Sequence, residues 1–526
     1  MKILYPDYEK GLVNFSATIL KEFGIDSPYT TFRRINKLFR EEKYTNVVVL
    51  VYDGLGTKIM DKHLDKNSFL FSHRMTDITS VAPSSTVATT TSLLSTKTPY
   101  EHGLLGLNLY FKDLNELVNV SNGCVKNSSK EVDRKMLNKH LEYQSIIDKI
   151  NDTSEARAYG IFPTGTGSYE SRDEAYSRII NLSKNSGKKL IYAYFDEPGC
   201  FMYKYGTDCD SVHKEILRID EEIKELCDKL QDSIIFVTAN HGYVNSETII
   251  LKDYKDIYSL IDRTLDIETR CTGIKVKTGK SEEFSEKFKE KFGKYFLLMN
   301  YNEIVEKKLF GMGIEQEYFK EYIGDFVAFA IDKYALNYDD CSPMFKADSA
   351  GLTEKEMLVP ISIVLKKPFK DGIRRAVAED YKEIRQMCND IQKFRAEKRK
   401  DIFMRTDTLS FPDFNNYCNK NSPDVCFVYT IEDKVVGFIK MRLNTICGEK
   451  IYRNFSYLEI ENFFVKKEYR KQGIGTALGN YVISYAKKKR VKKIEFCAWN
   501  FEEETCKFVE KFNPTELIKV LEIDLS

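Results

Sequence analysis

Three unbroken runs of apolar residues frame the first two-thirds of the chain. Asn46 to Tyr52 stops at Asp53-Gly54, Leu190 to Phe195 stops at Asp196-Glu197-Pro198, and Ser233 to Thr238 stops at Ala239-Asn240-His241-Gly242. A continuous run of this length reads as a strand covered on both faces, because a half-solvated strand would alternate. Between the second and third runs, Val212, Ile216, Ile219, Ile223, Leu226 and Leu230 recur at helical spacing. Strand, helix, strand in that order predicts a βαβ unit, hence a mostly parallel sheet flanked by helices. Ligands of such sheets bind where the strands end, and Asp53, Asp196 and His241 fall there.

The periodicity lapses over Lys366 to Gly372, which reads as a linker between domains at 1–367 and 372–526. Beyond it the order is of α+β type. A helical stretch over Ala378 to Phe394 precedes strands at Asp424 to Thr430, Lys434 to Met441 and Tyr457 to Val465. The last runs into Arg470-Lys-Gln-Gly-Ile-Gly-Thr476 and a helix to about Lys489. A strand (Lys493 to Trp499), a helix (Glu502 to Phe512) and a closing strand (Leu517 to Leu525) complete the pattern.

Composition narrows the function classes. Lys plus Arg number 80 against 79 Asp plus Glu, so the excess base of a dedicated nucleic-acid binder is missing. A hydrophobic content of 42% excludes wholesale disorder. No run reaches the roughly 18 apolar residues of a membrane helix, and the first residues lack the apolar core of a signal peptide. Twelve cysteines without a Cys-x-x-Cys pair predict free, mostly buried thiols in a reducing compartment, so a cytoplasmic protein is expected, with no membrane and no nucleic-acid partner.

The strongest chemical signal is Arg470-x-x-Gly473-x-Gly475 between a strand and a helix. Glycines allow a tight turn, and the outward N–H groups and positive dipole end of the helix suit a pyrophosphate. With Val435 to Ile439, Tyr457 to Val465, Tyr469 to Leu478, Ile494 to Trp499 and Leu521 to Leu525, this loop makes residues 372–526 resemble the GCN5-related N-acetyltransferase (GNAT) family. The resemblance implies acetyl-CoA as cofactor, cradled by the backbone of Gln472, Gly473, Ile474, Gly475 and Thr476. Arg470 and Lys471 would add charge there, and the strand end at Phe464 and Val465 would hold the pantetheine arm. Amine acetylation needs a base, and Glu461 stands where the family often places it. The family's usual downstream Asn and Tyr positions carry Glu502 and Val509, so its usual proton donor to the CoA sulfur is absent.

Residues 1–367 resemble the alkaline phosphatase superfamily, near its nucleotide pyrophosphatase/phosphodiesterase branch. The carriers are Val51 to Gly56, Pro83 to Leu94, Thr98 to Gly103, Tyr194 to Pro198, Thr238 to Gly242 and Gly351 to Pro360. That chemistry uses two metals and a Thr or Ser nucleophile. One metal would take Asp53, Thr86 and an Asp-His pair, but Asn240 precedes His241. The other would need an Asp and a His where Gly199 and Tyr203 stand, and a His near Asp348. Neither Gly nor neutral Tyr is a good zinc ligand. The expectation is a vestigial site (Asp53, Thr86, Asn240, His241), no bound metal, and a retired phosphatase fold serving as scaffold or acceptor-binding module. The whole chain then reads as an acetyl-CoA-dependent N-acetyltransferase acting on a small amine, phosphorylated or nucleotide-like. The alternatives are a phosphodiesterase with ligands rebuilt from Asp196 and Asp348, or a non-catalytic CoA-binding regulator.

Overall fold

The computed structural model describes residues 1–165, 167–339, 344–367, 371–419, 421–448, 451 and 453–523. The chain divides into two compact units, Met1–Pro368 and Phe369–Ser526. Among the described residues, the larger unit is built on a six-stranded sheet. Its strands are β1 (Asn46–Tyr52), β2 (Arg74–Thr79), β3 (Arg157–Ile161), β4 (Lys189–Phe195), β5 (Ser233–Ala239) and β6 (Leu358–Lys366), in the order β2-β6-β5-β1-β4-β3. Strands β3, β4, β1 and β5 run parallel, and only β6 is reversed against its neighbours.

Strands β1, β4 and β5 are buried at every residue, as their unbroken apolar runs require when helices cover both faces. Helix α3 (Asp210–Lys229) supplies one cover by burying Val212, Ile216, Ile219, Ile223 and Leu226. Two more helices position the site residues: α1 (Thr57–His63), entered directly from the end of β1, and α2 (Thr86–Ser95), capped by the Ser85 hydroxyl on the Ala88 N–H. A second, seven-stranded antiparallel sheet in this unit has its own core around Phe111, Phe319, Tyr322 and Phe329. Nothing in the hydrophobic pattern announces it. Two of its strands, Cys124–Val125 and Asp266–Ile267, are two residues long, too short to show a period of two.

The smaller unit is an α+β fold around a five-stranded sheet, β7 (Gly372–Arg375), β8 (Asp424–Ile431), β9 (Lys434–Ile446), β10 (Phe455–Val465) and β11 (Lys493–Phe496), paired in chain order. The first four strands are antiparallel to one another, and β11 is parallel to β10. Helices α4 (Tyr381–Lys398) and α5 (Phe411–Cys418) contribute Ile384, Met387 and Phe414 to one core, and α6 (Ile474–Lys488) contributes Leu478 and Val482 to another.

Three expectations are corrected here. The closing strand does not form over 517–523; Leu517, Ile518, Val520, Leu521 and Ile523 are 65–88% exposed, and Leu525 lies outside the described residues. Alternating apolar character alone does not make a strand when no neighbouring edge pairs with it. The strand beginning at Lys493 ends at Phe496, three residues short of Trp499. The thiols are free but not mostly buried: of the eleven cysteines among the described residues, only Cys227, Cys271, Cys388 and Cys426 are buried. No helix among the described residues is long and apolar enough to cross a membrane.

Candidate functional site

In the smaller unit, strands β9 and β10 pair regularly until a bulge. Lys440 lies opposite Asn462 and Met441 opposite Ile460, so Glu461 is the extra, unpaired residue. On the other side of β10, pairing with β11 ends at Ile460 opposite Phe496. From Glu461 to Val465, β10 therefore has no strand partner on that side among the described residues. The backbone N–H and C=O groups there that β9 does not pair are left for another extended chain, apart from the Val465 carbonyl, which accepts from Arg470 Nε.

The chain then passes a 3₁₀ turn and enters α6 through Gly473, whose φ of +85° is the left-handed conformation that glycine adopts without strain. No heavy atom lies within 4 Å of where its Cβ would stand. The first intrahelical bond runs from Ala477 N–H to Gly473 C=O, at 2.9 Å. The N–H groups of Ile474, Gly475 and Thr476 precede the helical ladder and form a donor cluster at the positive end of a 15-residue helix. Gln472, Lys471 and Gly473 are exposed beside it. Arg470 is turned away: its Nε donates to the Val465 carbonyl at 2.9 Å and its Nη1 to Glu504 at 2.8 Å. These features fit acetyl-CoA, with a pyrophosphate at the donor cluster and an extended pantetheine arm along the open edge near Phe464 and Val465.

The Glu461 carboxylate is enclosed by residues that the sequence did not single out. The Tyr417 hydroxyl of α5 donates to Oε2, Lys440 Nζ lies 3.9 Å from the same oxygen, and Arg442 Nη2 lies 3.7 Å from Oε1. The Lys440 ammonium also sits 4.6 Å from the centre of the Tyr417 ring. Burial, with Glu461 adding to it, pushes the Tyr417 hydroxyl well above its ordinary pKa, so it stays a donor. Glu502 accepts from Arg395 Nε at 2.7 Å and is 9% exposed, a structural ion pair, while Val509 closes α7 (Glu503–Val509).

In the larger unit, Asp53 leaves the end of β1 with 4% of its surface exposed and every oxygen occupied. Oδ1 accepts from Tyr194 OH at 2.9 Å, Asn240 Nδ2 at 2.6 Å and Thr86 Oγ1 at 3.1 Å, and Oδ2 accepts from Tyr243 OH at 3.0 Å. Burial, with Asp53's charge next, raises the Tyr194 and Tyr243 hydroxyls far above their usual range, which fixes them as donors. His241 is fully buried. Its Nδ1–H donates to the Gly242 carbonyl at 3.0 Å, so Nε2 faces Thr86 Oγ1 at 3.0 Å as an acceptor and competes with Asp53 Oδ1 for that hydroxyl's single proton. Desolvation holds its pKa below the ordinary value. All four predicted residues (Asp53, Thr86, Asn240, His241) are thus brought together.

The rest of the two-metal set is not there. A Cβ on Gly199 would lie 1.8 Å from Asp53 Oδ2, so no side chain could stand at 199 without displacing that carboxylate. Asp196 is exposed at the end of β4, whereas Asp348 is buried, taking hydrogen bonds from Thr269 and from the Ser349 N–H. Among the described residues no group of three or more His, Cys, Asp or Glu could hold a metal ion. This donor set does not fit a two-metal centre. Thr86 opens instead onto a cleft of about 440 Å³ lined by Thr90, Tyr143, Phe162, Thr164 and Tyr194 among others, with no charged side chain. Tyr194 and Tyr243 were not singled out by sequence reasoning, because one lies inside an apolar run and the other follows the Asn-His-Gly turn.

The type I phosphodiesterase / nucleotide pyrophosphatase family model matches residues 47–351, and the acetyltransferase (GNAT) family model matches residues 385–513. The chain belongs to the type I phosphodiesterase / nucleotide pyrophosphatase family and carries a C-terminal GNAT acetyltransferase domain. Among solved structures it is similar to murine ectonucleotide pyrophosphatase / phosphodiesterase 5, at 15% identity over 62% of this chain and 89% of that one, with a TM-score of 0.48. Phosphonoacetate hydrolase from Sinorhizobium meliloti 1021 matches at 15% identity over 62% of this chain and 91% of that one, TM-score 0.47. A mutant of the BH1408 protein from Bacillus halodurans matches at 22% identity over 29% of this chain and 99% of that one, TM-score 0.28. No curated protein matches the chain.

Proposed function

We propose that the chain is an N-acetyltransferase that moves the acetyl group of acetyl-CoA to a small amine, with Glu461 as the base. The observation that carries this reading is the bulge at Glu461 where β10 parts from β11, followed directly by the donor cluster of α6. Bound acetyl-CoA supplies an acetyl group already activated as a thioester. The N–H groups of Ile474, Gly475 and Thr476 hold the pyrophosphate, and the open edge of β10 aligns the pantetheine arm. Glu461, oriented by Tyr417, Lys440 and Arg442, accepts the proton that the amine loses as its nitrogen bonds the acetyl carbon, and the C–S bond breaks to release CoA as a thiolate that takes its proton from water.

In the same reading the larger unit is a scaffold or acceptor-binding module. The cleft over Thr86 offers hydroxyls and aromatic rings but no cation. That lining suits the sugar and base of a nucleotide-like amine better than a free phosphate. A non-catalytic CoA-binding regulator is the second reading, favoured by Val509 and by the engagement of Glu502 with Arg395. Thiol release from acetyl-CoA, measured against a panel of amines that includes aminated nucleosides, separates the two. Amine-dependent release that is lost in Glu461→Gln supports the enzyme; binding of acetyl-CoA with no release from any amine supports the regulator.

A further inference from the structure

Two of the six histidines meet outside both sites. His63 is the last residue of α1 and His213 lies in the first turn of α3, 150 positions apart in sequence. Their Nδ1 atoms face each other at 3.3 Å. Two Zn–N bonds of about 2.0–2.1 Å opening at the tetrahedral angle would set their nitrogens about 3.3–3.4 Å apart. Without a metal the two rings are within hydrogen-bond reach at this distance, one Nδ1–H donating to the other's lone pair. His63 Nε2 lies 2.9 Å from the Thr207 carbonyl. A carbonyl only accepts, so Nε2 carries the proton and Nδ1 presents its lone pair to His213. A ligating imidazole is commonly held this way, with its remote N–H fixed by a backbone carbonyl.

The surroundings agree. Burial is the first cause, with His213 and Lys62 adding to it, of a His63 pKa below its ordinary value, so the ring is unprotonated near neutrality. Asp208, on the loop just before α3, is near enough for its charge to act on His63, although Lys62 and the Thr207 hydroxyl now engage it. His213 is exposed, which leaves an entry path and room for water in the remaining coordination positions.

We propose that His63 and His213 form a binding site for a divalent transition metal of the zinc class, bridging α1 to α3. Imidazole nitrogen suits zinc, cobalt and nickel rather than magnesium or calcium. The site is distinct from the positions around Asp53, since it lies at the far end of α1 from that carboxylate. A metal there would clamp the helix that follows the Asp53 turn.

The experiment is titration of the full chain, stripped with a chelator, by zinc in a calorimeter, with the cobalt absorption spectrum as a second readout. Expected are one ion per chain at micromolar affinity, intense visible cobalt bands of a tetrahedral site, and a zinc-dependent rise in melting temperature. H213Q, whose exposed position protects the fold, and H63Q should each weaken binding at least tenfold and abolish the rise in melting temperature. No stoichiometric binding up to about 100 µM zinc, or binding of unchanged affinity in H213Q, would overturn the proposal.

Discussion

Replacing Asn240 by Asp restores the carboxylate that a metal-binding relative would carry, and the structure says what this should cost. Asn240 is fully buried. Its Oδ1 accepts from the Gly54 and His241 N–H groups at 3.0 and 2.9 Å, which an aspartate would preserve. Its Nδ2 donates to Asp53 Oδ1 at 2.6 Å, which an aspartate would replace with a second acceptor. The loss of a charge-assisted hydrogen bond costs about 1.5–3 kcal/mol. Two buried carboxylates about 4 Å apart repel by about 4 kcal/mol at an effective dielectric near 20, so the pair keeps one proton instead. Together these set a deficit of about 5.5–7 kcal/mol at pH 8. For a unit running from Met1 to Pro368 this is about 7–9 °C in melting temperature, at about 2.1 cal/mol/K per residue.

The sign with pH follows from the shared proton. Its folded-state pKa is raised, so the stability it gives is present at low pH and is lost as pH rises through that value. Asn240→Asp should match wild type at pH 5 and fall below it at pH 8 in EDTA, with zinc or manganese recovering part of the loss. Thermal unfolding of both proteins, at each pH with and without metal, reads this out. Equal stability at pH 8 in EDTA would refute the reasoning, because it would mean that the Asp53–Asn240 hydrogen bond does not hold the site together.

Other outcomes follow from the same contacts. Glu461→Gln keeps the shape of the bulge but cannot take a proton, so amine-dependent turnover should fall by about 10²–10⁴ while acetyl-CoA affinity, set by the α6 loop, stays within error. In the larger unit, burial raises Asp348 to about 6, Asp266 to about 7 and Glu268 to about 8. Each contributes stability that is complete below about pH 4 and is lost as pH rises through those values. These groups should therefore lower the melting temperature of the wild-type unit between pH 5 and pH 9, and scanning calorimetry across that range would detect the opposite trend if the carboxylates were solvated.

The sequence carried the elements that satisfy long-range burial locally. Residues 47–52, 190–195 and 234–237 are apolar throughout because both sheet faces are covered, and Gly473 is a glycine because its φ is positive. What it did not carry depends on partners far along the chain. Tyr194 and Tyr243 look like core aromatics until β1, β4 and β5 bring both hydroxyls to Asp53. The isolation of Glu461 is a register shift against β9, which no local pattern records. Tyr417, Lys440 and Arg442 reach it from α5 and β9, and His63 finds His213 across 150 residues. The tail at 517–523 shows the converse: its strand-like pattern lacks a pairing edge.

The most direct test is titration of acetyl-CoA into the purified full chain, beside Gly473→Glu. That substitution puts a side chain at a positive φ and a negative charge on the donor cluster of α6, while the space around the Cβ is open. One acetyl-CoA per chain bound at micromolar affinity, with binding lost in the variant and the fold kept, is the predicted result. Absence of binding in the wild-type chain, or equal binding in the variant, would contradict the assignment of this loop as the cofactor site.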